Sequence, residues 1–270
     1  MSTGKIQNQV AQVKGEKKAM QTYIKSMEGE IKKALPSVLT PERFTRMVLS
    51  ALSTTPKLGA CTPQSFLGAM MSAAQLGLEP NTPLGQAYLI PYKNKGVDEV
   101  QFQVGYKGLI DLAYRSGEIE VIQSHVVYEN DHFECEYGLE PKLVHKPADG
   151  DKGKAVKVYA MFKTKNGGFG FEVMTMNDVK LHAETYSKAY KSGFSPWSSN
   201  FEEMAKKTVL KKVLKYAPLK SDFVKAVVQD ETIKTSIAED MYEVEDNTIY
   251  ADYVEVDTET GEVKEDSTNA

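Results

Sequence analysis

Gln86-Ala87-Tyr88-Leu89-Ile90, then Val100-Gln101-Phe102-Gln103-Val104, then Gly105-Tyr106-Lys107-Gly108-Leu109-Ile110-Asp111-Leu112-Ala113-Tyr114-Arg115-Ser116-Gly117 form the stretch that decides the fold class. From Val100 to Val104 apolar and polar residues alternate, so Gln101 and Gln103 share the face of a strand opposite the core. Lys95-Gly96 stands between the two strand-like runs, and a hairpin is the simplest joining. After Gly105 the apolar spacing becomes helical, with Leu109, Ile110, Leu112 and Ala113 inward and Gly117 near the stop. Strand, glycine turn and helix follow in succession, in a chain that reads as helical, then mixed strand, then helical.

Upstream, Thr40-Pro41 and Thr62-Pro63 each place a capping hydroxyl before a proline suited to the first helical position. Phe44, Met47, Val48, Ala51 and Leu52 form the apolar stripe of the first helix. Phe66, Leu67, Met70, Ala73 and Ala74 form that of the second, with Gly77 as its stop. Residues 5–34 are polar and carry seven lysines, which reads as a helical arm expected to make oligomer contacts. Downstream, residues 118–137 and 155–175 are rich in β-branched and aromatic residues, and Asn166-Gly167-Gly168 is a hairpin turn. The stretch 141–154, with two prolines, reads as an exposed loop, and 191–196 as a mobile one. Residues 200–217 form the clearest helix, which Pro218 ends. The expected organisation is an N-terminal arm (1–34), a core (35–220), and a helix with an acidic, disordered tail (221–270).

The chain has 270 residues and a net charge of −4, which conceals a polarity. From Asp230 to Ala270, fourteen acidic residues face Lys234 and Lys264, so that end carries −12 and the rest carries +8. A basic body with an acidic end suits a polyanion partner. Two cysteines, Cys61 and Cys135, cannot build a disulfide framework or a four-ligand zinc site, so a reducing intracellular setting is expected. No signal-like or membrane-length apolar run occurs.

On the helix 201–216, Lys207, Lys211 and Lys215 fall on one stripe with Lys212 beside it, while Ala205, Val209, Leu210, Val213, Leu214 and Ala217 face inward. Lysines four apart stand about 6 Å from each other, close to the phosphate spacing of a nucleic-acid strand. Such a row is an ordinary solvated face unless an anion meets it. Here no Glu or Asp lies between Met204 and Leu219, which leaves the row unneutralised and favours an anionic partner. Tyr88, Gln103, Tyr106, Lys107 and Arg115 form a second constellation of rings, amides and cations suited to a nucleotide strand. Trp197, near Tyr190 and Phe194, reads as a loop anchor, with base stacking as the other role. Neither a G-x-x-x-x-G-K-[ST] nor a strand-to-helix G-x-G-x-x-G occurs, so ATP use is not expected. His125, Glu129, Asp131, His132, Glu134 and Cys135 are the one metal-like cluster, the basis of an alternative reading as a metal-dependent nuclease. In an alternating strand His132 and Glu134 would face away from Asp131 and Cys135, so these ligands would not converge. His145 and His182 lack Ser or Cys partners at any recognised spacing.

The ordered blocks Leu35-Pro36, Pro41-Glu42-Arg43-Phe44, Ala73-Ala74-Gln75-Leu76-Gly77-Leu78-Glu79-Pro80, Leu84 to Tyr92, Val104 to Gly117, His145-Lys146-Pro147, Phe171 to Thr175, Glu202 to Thr208 and Lys215-Tyr216-Ala217-Pro218 resemble the RecT family of phage single-strand annealing recombinases. The resemblance implies an α+β fold, a bent antiparallel β-sheet crossed by helices that forms a basic groove for DNA, with flanking terminal helical segments. It implies ATP-independent binding of single-stranded DNA and annealing of complementary strands by an oligomeric ring or filament in the bacterial host cytoplasm, with no catalytic residue, metal or cofactor. A phage exonuclease and a host single-strand-binding protein are the partners it implies. A passive single-strand-binding protein is the remaining alternative. The residues expected to bind DNA are Tyr88, Gln103, Tyr106, Lys107, Arg115, Lys206, Lys207, Lys211 and Lys215.

Overall fold

Helices start where the chain supplies a cap or a proline. In the computed structural model, which describes residues 3–37, 39–187, 190, 196–218 and 221–248, α1 (Thr3–Ser26) and α2 (Glu28–Ala34) precede α3 (Pro41–Thr54). Thr40 Oγ1 accepts the Arg43 N–H, and Phe44, Val48, Ala51 and Leu52 are buried along one stripe. At α4 (Pro63–Gln75) Thr62 instead donates its hydroxyl to Ser65 Oγ, which in turn accepts the Val100 N–H. This helix is buried on nearly every side, not along one stripe, because α1 and the sheet β1–β2 both pack on it.

β1 (Ala87–Asn94) and β2 (Val97–Val104) form the expected hairpin. Lys95 and Gly96 both take positive φ, 45° and 86°, as a two-residue I′ turn requires. Val100, Phe102 and Val104 are buried, and Gln101 and Gln103 share the other face. Then α5 (Tyr106–Arg115) buries Leu109, Leu112 and Ala113.

The second half carries β3 (Ile119–Tyr128), β4 (His132–Glu136), β5 (Lys142–Lys146), β6 (Ala155–Thr164) and β7 (Phe169–Thr175). One antiparallel sheet has the order β3-β6-β7, with Gly167 in the left-handed region at the β6–β7 turn. β4 and β5 pair as a separate hairpin. Next come α6 (Met176–Tyr186), opened by a Thr175–Asp178 capping box, the single turn α7 (Pro196–Ser199), α8 (Phe201–Leu214) and α9 (Ser221–Gln229). α8 lies on β6, β7 and β3, burying Ala205, Val209, Leu210, Val213 and Leu214.

The α+β class is as expected, with antiparallel strands flanked by helices and grouped as three small sheets, β1–β2, β3–β6–β7 and β4–β5. Two other expectations are corrected. The expected loop 141–154 contains β5, because Pro141 and Pro147 flank an alternating strand and do not interrupt it. The acidic end begins as part of the core. Ile233 and Met241 are fully buried, Thr232 bridges to Phe102, and Gln75 Nε2 donates to the carbonyls of Ala34, Ala238 and Glu239. Charge counting obscured this strap (230–248) because apolar Ile233, Ile237, Met241 and Val244 are interspersed among its carboxylates. Of the expected loop 191–196, Pro196 opens the helix Pro196–Ser199, while residues 191–195 and the tail 249–270 lie outside the described residues.

The strap crosses α4 at Gly68, where an added Cβ would stand 2.0 Å from the Lys234 carbonyl oxygen. Gly68→Ala is therefore expected to destabilise the fold by about 1–3 kcal/mol and to open the strap to proteolysis. Thermal unfolding and limited digestion check this; an unchanged melting temperature would detach the strap from α4.

Candidate nucleic-acid interface

Two close approaches of the backbone build the first wall. A Cβ at Gly105 would stand 2.2 Å from the Gly85 carbonyl oxygen, and one at Gly108 would stand 2.1 Å from that of Gln86. Gly85 itself takes φ 66°. Asn81 pins the same turn, since its Oδ1 accepts the Leu89 N–H at 2.7 Å and its Nδ2 donates to Thr55. The entry to β1 is thereby pressed onto the start of α5. Tyr88 and Gln103 are direct partners across the hairpin, and Tyr106 and Lys107 follow on the first turn of α5.

These four residues face α7 and α8 across an open cleft of about 580 Å³, whose far wall includes Pro196, Asn200, Glu203, Met204 and Lys207. Lys206 Nζ stands 6.0 Å from the centre of the Tyr106 ring and 2.9 Å from Glu203 Oε1. Burial, and then the Glu203 carboxylate, push the Tyr106 hydroxyl above the usual tyrosine range, so it stays a hydrogen-bond donor at neutral pH.

A second cleft of about 470 Å³ lies along α8, lined by His182 and Tyr186 of α6, Trp197 of α7, Thr208, Lys211, Lys212, Lys215 and Glu231. Met204 and Lys207 line both clefts, so α8 separates and joins them. The rings of His182 and Tyr186 lie 4.7 Å apart, tilted by 44°, and Tyr186 is exposed. Burial, followed by the charges of Lys212 and Lys211, lowers the pKa of His182, keeping it neutral near pH 7. Trp197 is buried against Tyr190 and Phe201, as the anchor reading expected, while Phe194 lies outside the described residues.

Eight of the nine residues expected to bind DNA thus gather on or beside these two clefts. Arg115 does not. It ends the helix that Tyr106 begins, about 13 Å away along the axis. Its guanidinium is engaged by Asp111 at 2.9 Å and by the Leu76 carbonyl at 2.9 Å.

The lysine row also differs from expectation, because it is not left unneutralised. Asp230, at the start of the strap, places Oδ1 3.0 Å from Lys207 Nζ and Oδ2 2.8 Å from Lys211 Nζ, and it accepts the Val104 N–H at 2.8 Å. The Asp230 side chain is fully enclosed and that of Lys207 is 6% exposed. Lys206 is paired within its own helix by Glu203. Burial alone would raise the Asp230 pKa, but Lys207 and Lys211 outweigh it and hold the carboxyl below the usual range. Sequence reading missed Tyr186, Asp230 and Glu231. The i, i+4 spacing of His182 and Tyr186 was an available signal; no local signal linked Asp230 to lysines about twenty positions away.

The metal-like cluster divides into two sets. Asp131 accepts the N–H groups of Tyr128 and Ala148 and bonds His145 Nε2 at 3.0 Å, which brings its pKa down to about 2. His132 bonds Glu134 at 3.1 Å, and Lys142 reaches the same carboxylate from β5. Among the described residues no three His, Cys, Asp or Glu side chains converge as a metal site, and no helix is long and apolar enough to cross a membrane.

An α+β body with paired clefts of lysines and aromatic rings has the residue types that suit a nucleic-acid strand. The RecT family model matches residues 42–249, so the chain belongs to the RecT family, the single-strand annealing proteins of DNA recombination. It is 42% identical over 210 residues to Protein RecT of Escherichia coli (strain K12), covering 76% of this chain and 77% of that protein. It is also 33% identical over 199 residues to the uncharacterized protein YqaK of Bacillus subtilis (strain 168), covering 72% of this chain and 66% of that one.

Removing the shared charge by Asp230→Asn leaves Lys207 enclosed with a weakened partner, and an expected loss of about 3–5 kcal/mol in urea unfolding. Because the folded pKa of Asp230 is depressed, its contribution is present above the unfolded value of about 4 and is lost as pH falls through the folded one. The acid limb of the urea midpoint should therefore flatten in the variant.

Proposed function

We propose that single-stranded DNA runs along the two clefts flanking α8, and that the protein anneals complementary strands without ATP, a cofactor or covalent chemistry. The observation that carries this is the shared lining of the two clefts by Met204 and Lys207, which makes one path of Tyr88, Tyr106 and Lys107 on one side and Tyr186, Lys211, Lys212 and Lys215 on the other. Ring faces stack bases of any identity, and ammonium groups pair with phosphates, so sequence preference is weak and pairing specificity comes from the DNA.

Annealing brings two polyanions together. A lysine-lined path screens their repulsion and holds one strand extended, so less freedom is lost when the complement arrives. One subunit grips only a few nucleotides, with roughly 4–16 typical of a single-strand-binding module, so work on longer strands calls for an oligomer, as a ring or filament. We place this activity in the bacterial host cytoplasm, beside a phage exonuclease that exposes the strand and a host single-strand-binding protein. The C-terminal segment is the proposed partner contact, and its test is truncation after Thr248. Cutting at Gln229 would remove the Asp230 ion pairs and the strap along with any partner site.

The deciding experiment mixes two complementary fluorescent oligonucleotides with the protein, without ATP, with and without magnesium, and reads DNA length on a gel. Faster formation of full-length duplex than without protein is expected. Shortened DNA would establish the nuclease alternative, and binding without acceleration a passive coat.

Lys215→Ala and Lys212→Ala are each expected to weaken binding uniformly across sequences and to lower the slope of log affinity against log salt by about 0.7. Tyr88→Ala should cost about 1–3 kcal/mol of single-strand affinity with little loss of folding stability, since the side chain is exposed. Titrations at several salt concentrations, with melting curves, check both. Lys207→Ala behaves differently: it leaves Asp230 enclosed with one partner fewer, so a fall in stability accompanies any loss of binding.

A further inference from the structure

Glu231 has φ 67°, a left-handed conformation that a residue with a Cβ rarely adopts and that glycine takes readily. It is held there by β2. Its N–H donates to the Phe102 carbonyl at 2.8 Å, its carbonyl accepts from Gln101 Nε2 at 2.9 Å, and the Phe102 N–H donates to the Thr232 carbonyl at 2.9 Å. The carboxylate stands 3.4 Å from Lys207 Nζ, with the side chain 43% exposed. Along the second cleft, Glu231 is the one carboxylate among the described lining residues, against Lys207, Lys211, Lys212 and Lys215. Asp230 grips Lys207 and Lys211 from an enclosed position that no ligand reaches. Glu231 is the carboxylate that an incoming phosphate meets.

We propose that Glu231 is an affinity-limiting residue of the DNA path, a fixed negative charge that keeps the strand loosely held; this rests on the reading of the clefts given above. The Glu231 carboxylate stands on the cleft side of Lys207, whose other partner is the enclosed Asp230, and meets a phosphate with a like charge where the lysine row would otherwise attract it. A phosphate kept from the row keeps its condensed counterion, so part of the salt-dependent affinity is withheld. The carboxylate also repels phosphates that pass along Lys211 and Lys215, over distances that salt screens within about 10 Å. For annealing, weaker grip has a use. A strand bound by every available ammonium group shifts and dissociates slowly, whereas a search for complementary register requires many short-lived placements.

The test measures binding of a fluorescent oligothymidylate by the full chain and by Glu231→Gln, which keeps the side-chain shape and the backbone conformation but removes the charge. At low salt the variant is expected to bind about three- to tenfold tighter, with a steeper salt slope by up to about 0.7 and a gap that closes as salt rises. Its annealing of partly mismatched pairs, which must dissociate before pairing correctly, is expected to slow. Glu231→Gly removes the charge and relieves the backbone as well; it should fold at least as stably and show the same gain in affinity, so the question is answered even if the glutamine variant folds poorly. Affinity in both variants equal to or below that of the unaltered protein would overturn the role of Glu231. Failure of the unaltered protein itself to bind the oligonucleotide would instead overturn the reading of the clefts.

Discussion

The carboxylate of Asp230 is shared by Lys207 and Lys211 of α8 and by the N–H of Val104 at the end of β2, and through it three parts of the chain meet. A carboxylate with no solvent contact is tolerated only when it is paired and hydrogen-bonded, and here each requirement is met by a different element. The consequence is geometric. β2 and its turn into α5 are fixed against α8, so the wall carrying Tyr88, Gln103, Tyr106 and Lys107 stands at a set distance from the wall carrying Met204 and Lys207. The strap that supplies Asp230 is itself held by Gln75 and by close contact at Gly68, which extends the same constraint to α4.

This arrangement explains why the lysines of one helix serve two ends. Lys207 and, in part, Lys211 are committed to holding the body together, while Lys212 and Lys215 stand farther along the second cleft. The row is therefore graded in its pairing with Asp230 and is not a set of equivalent charges. Aromatic faces line both sides, Tyr106 in the first cleft and Tyr186 in the second, and on the proposed path they would give contacts that do not depend on base identity. Weak sequence preference with firm backbone contact is what annealing requires, because the information must remain in the strands themselves. A glutamate presented in the same cleft fits this logic, since grip and mobility are opposing demands on one surface.

The glycines contribute through space more than through flexibility. Gly105 and Gly108 permit the backbone at Gly85 and Gln86 to lie on the first turn of α5, closer than any side chain would allow. That contact puts a strand residue, Tyr88, beside a helix residue, Lys107, although nineteen positions separate them. The β4–β5 hairpin is attached differently, through a ring cluster of Phe133, His145 and Tyr159, with Asp131 bonding His145 at its edge. Residues that looked like metal ligands in the sequence are engaged in that hairpin.

Much was legible in the sequence because it depends on neighbours. The capping of α3 by Thr40, the turn at Lys95-Gly96, the alternation of Val100 to Val104 and the inward stripe of α8 follow from periods of two and 3.6 and from backbone preferences. Family membership was legible too, since ordered blocks survive in the primary structure. Tertiary structure alone decided which charges are neutralised. No local rule joins Asp230 to Lys207, because that relation depends on how elements pack and not on spacing along the chain, whereas the distance of Arg115 from Tyr106 follows from the rise of the helix they share. It also decided that residues 230–248 belong to the body, since burial of Ile233 and Met241 outweighs the solvation of the carboxylates between them.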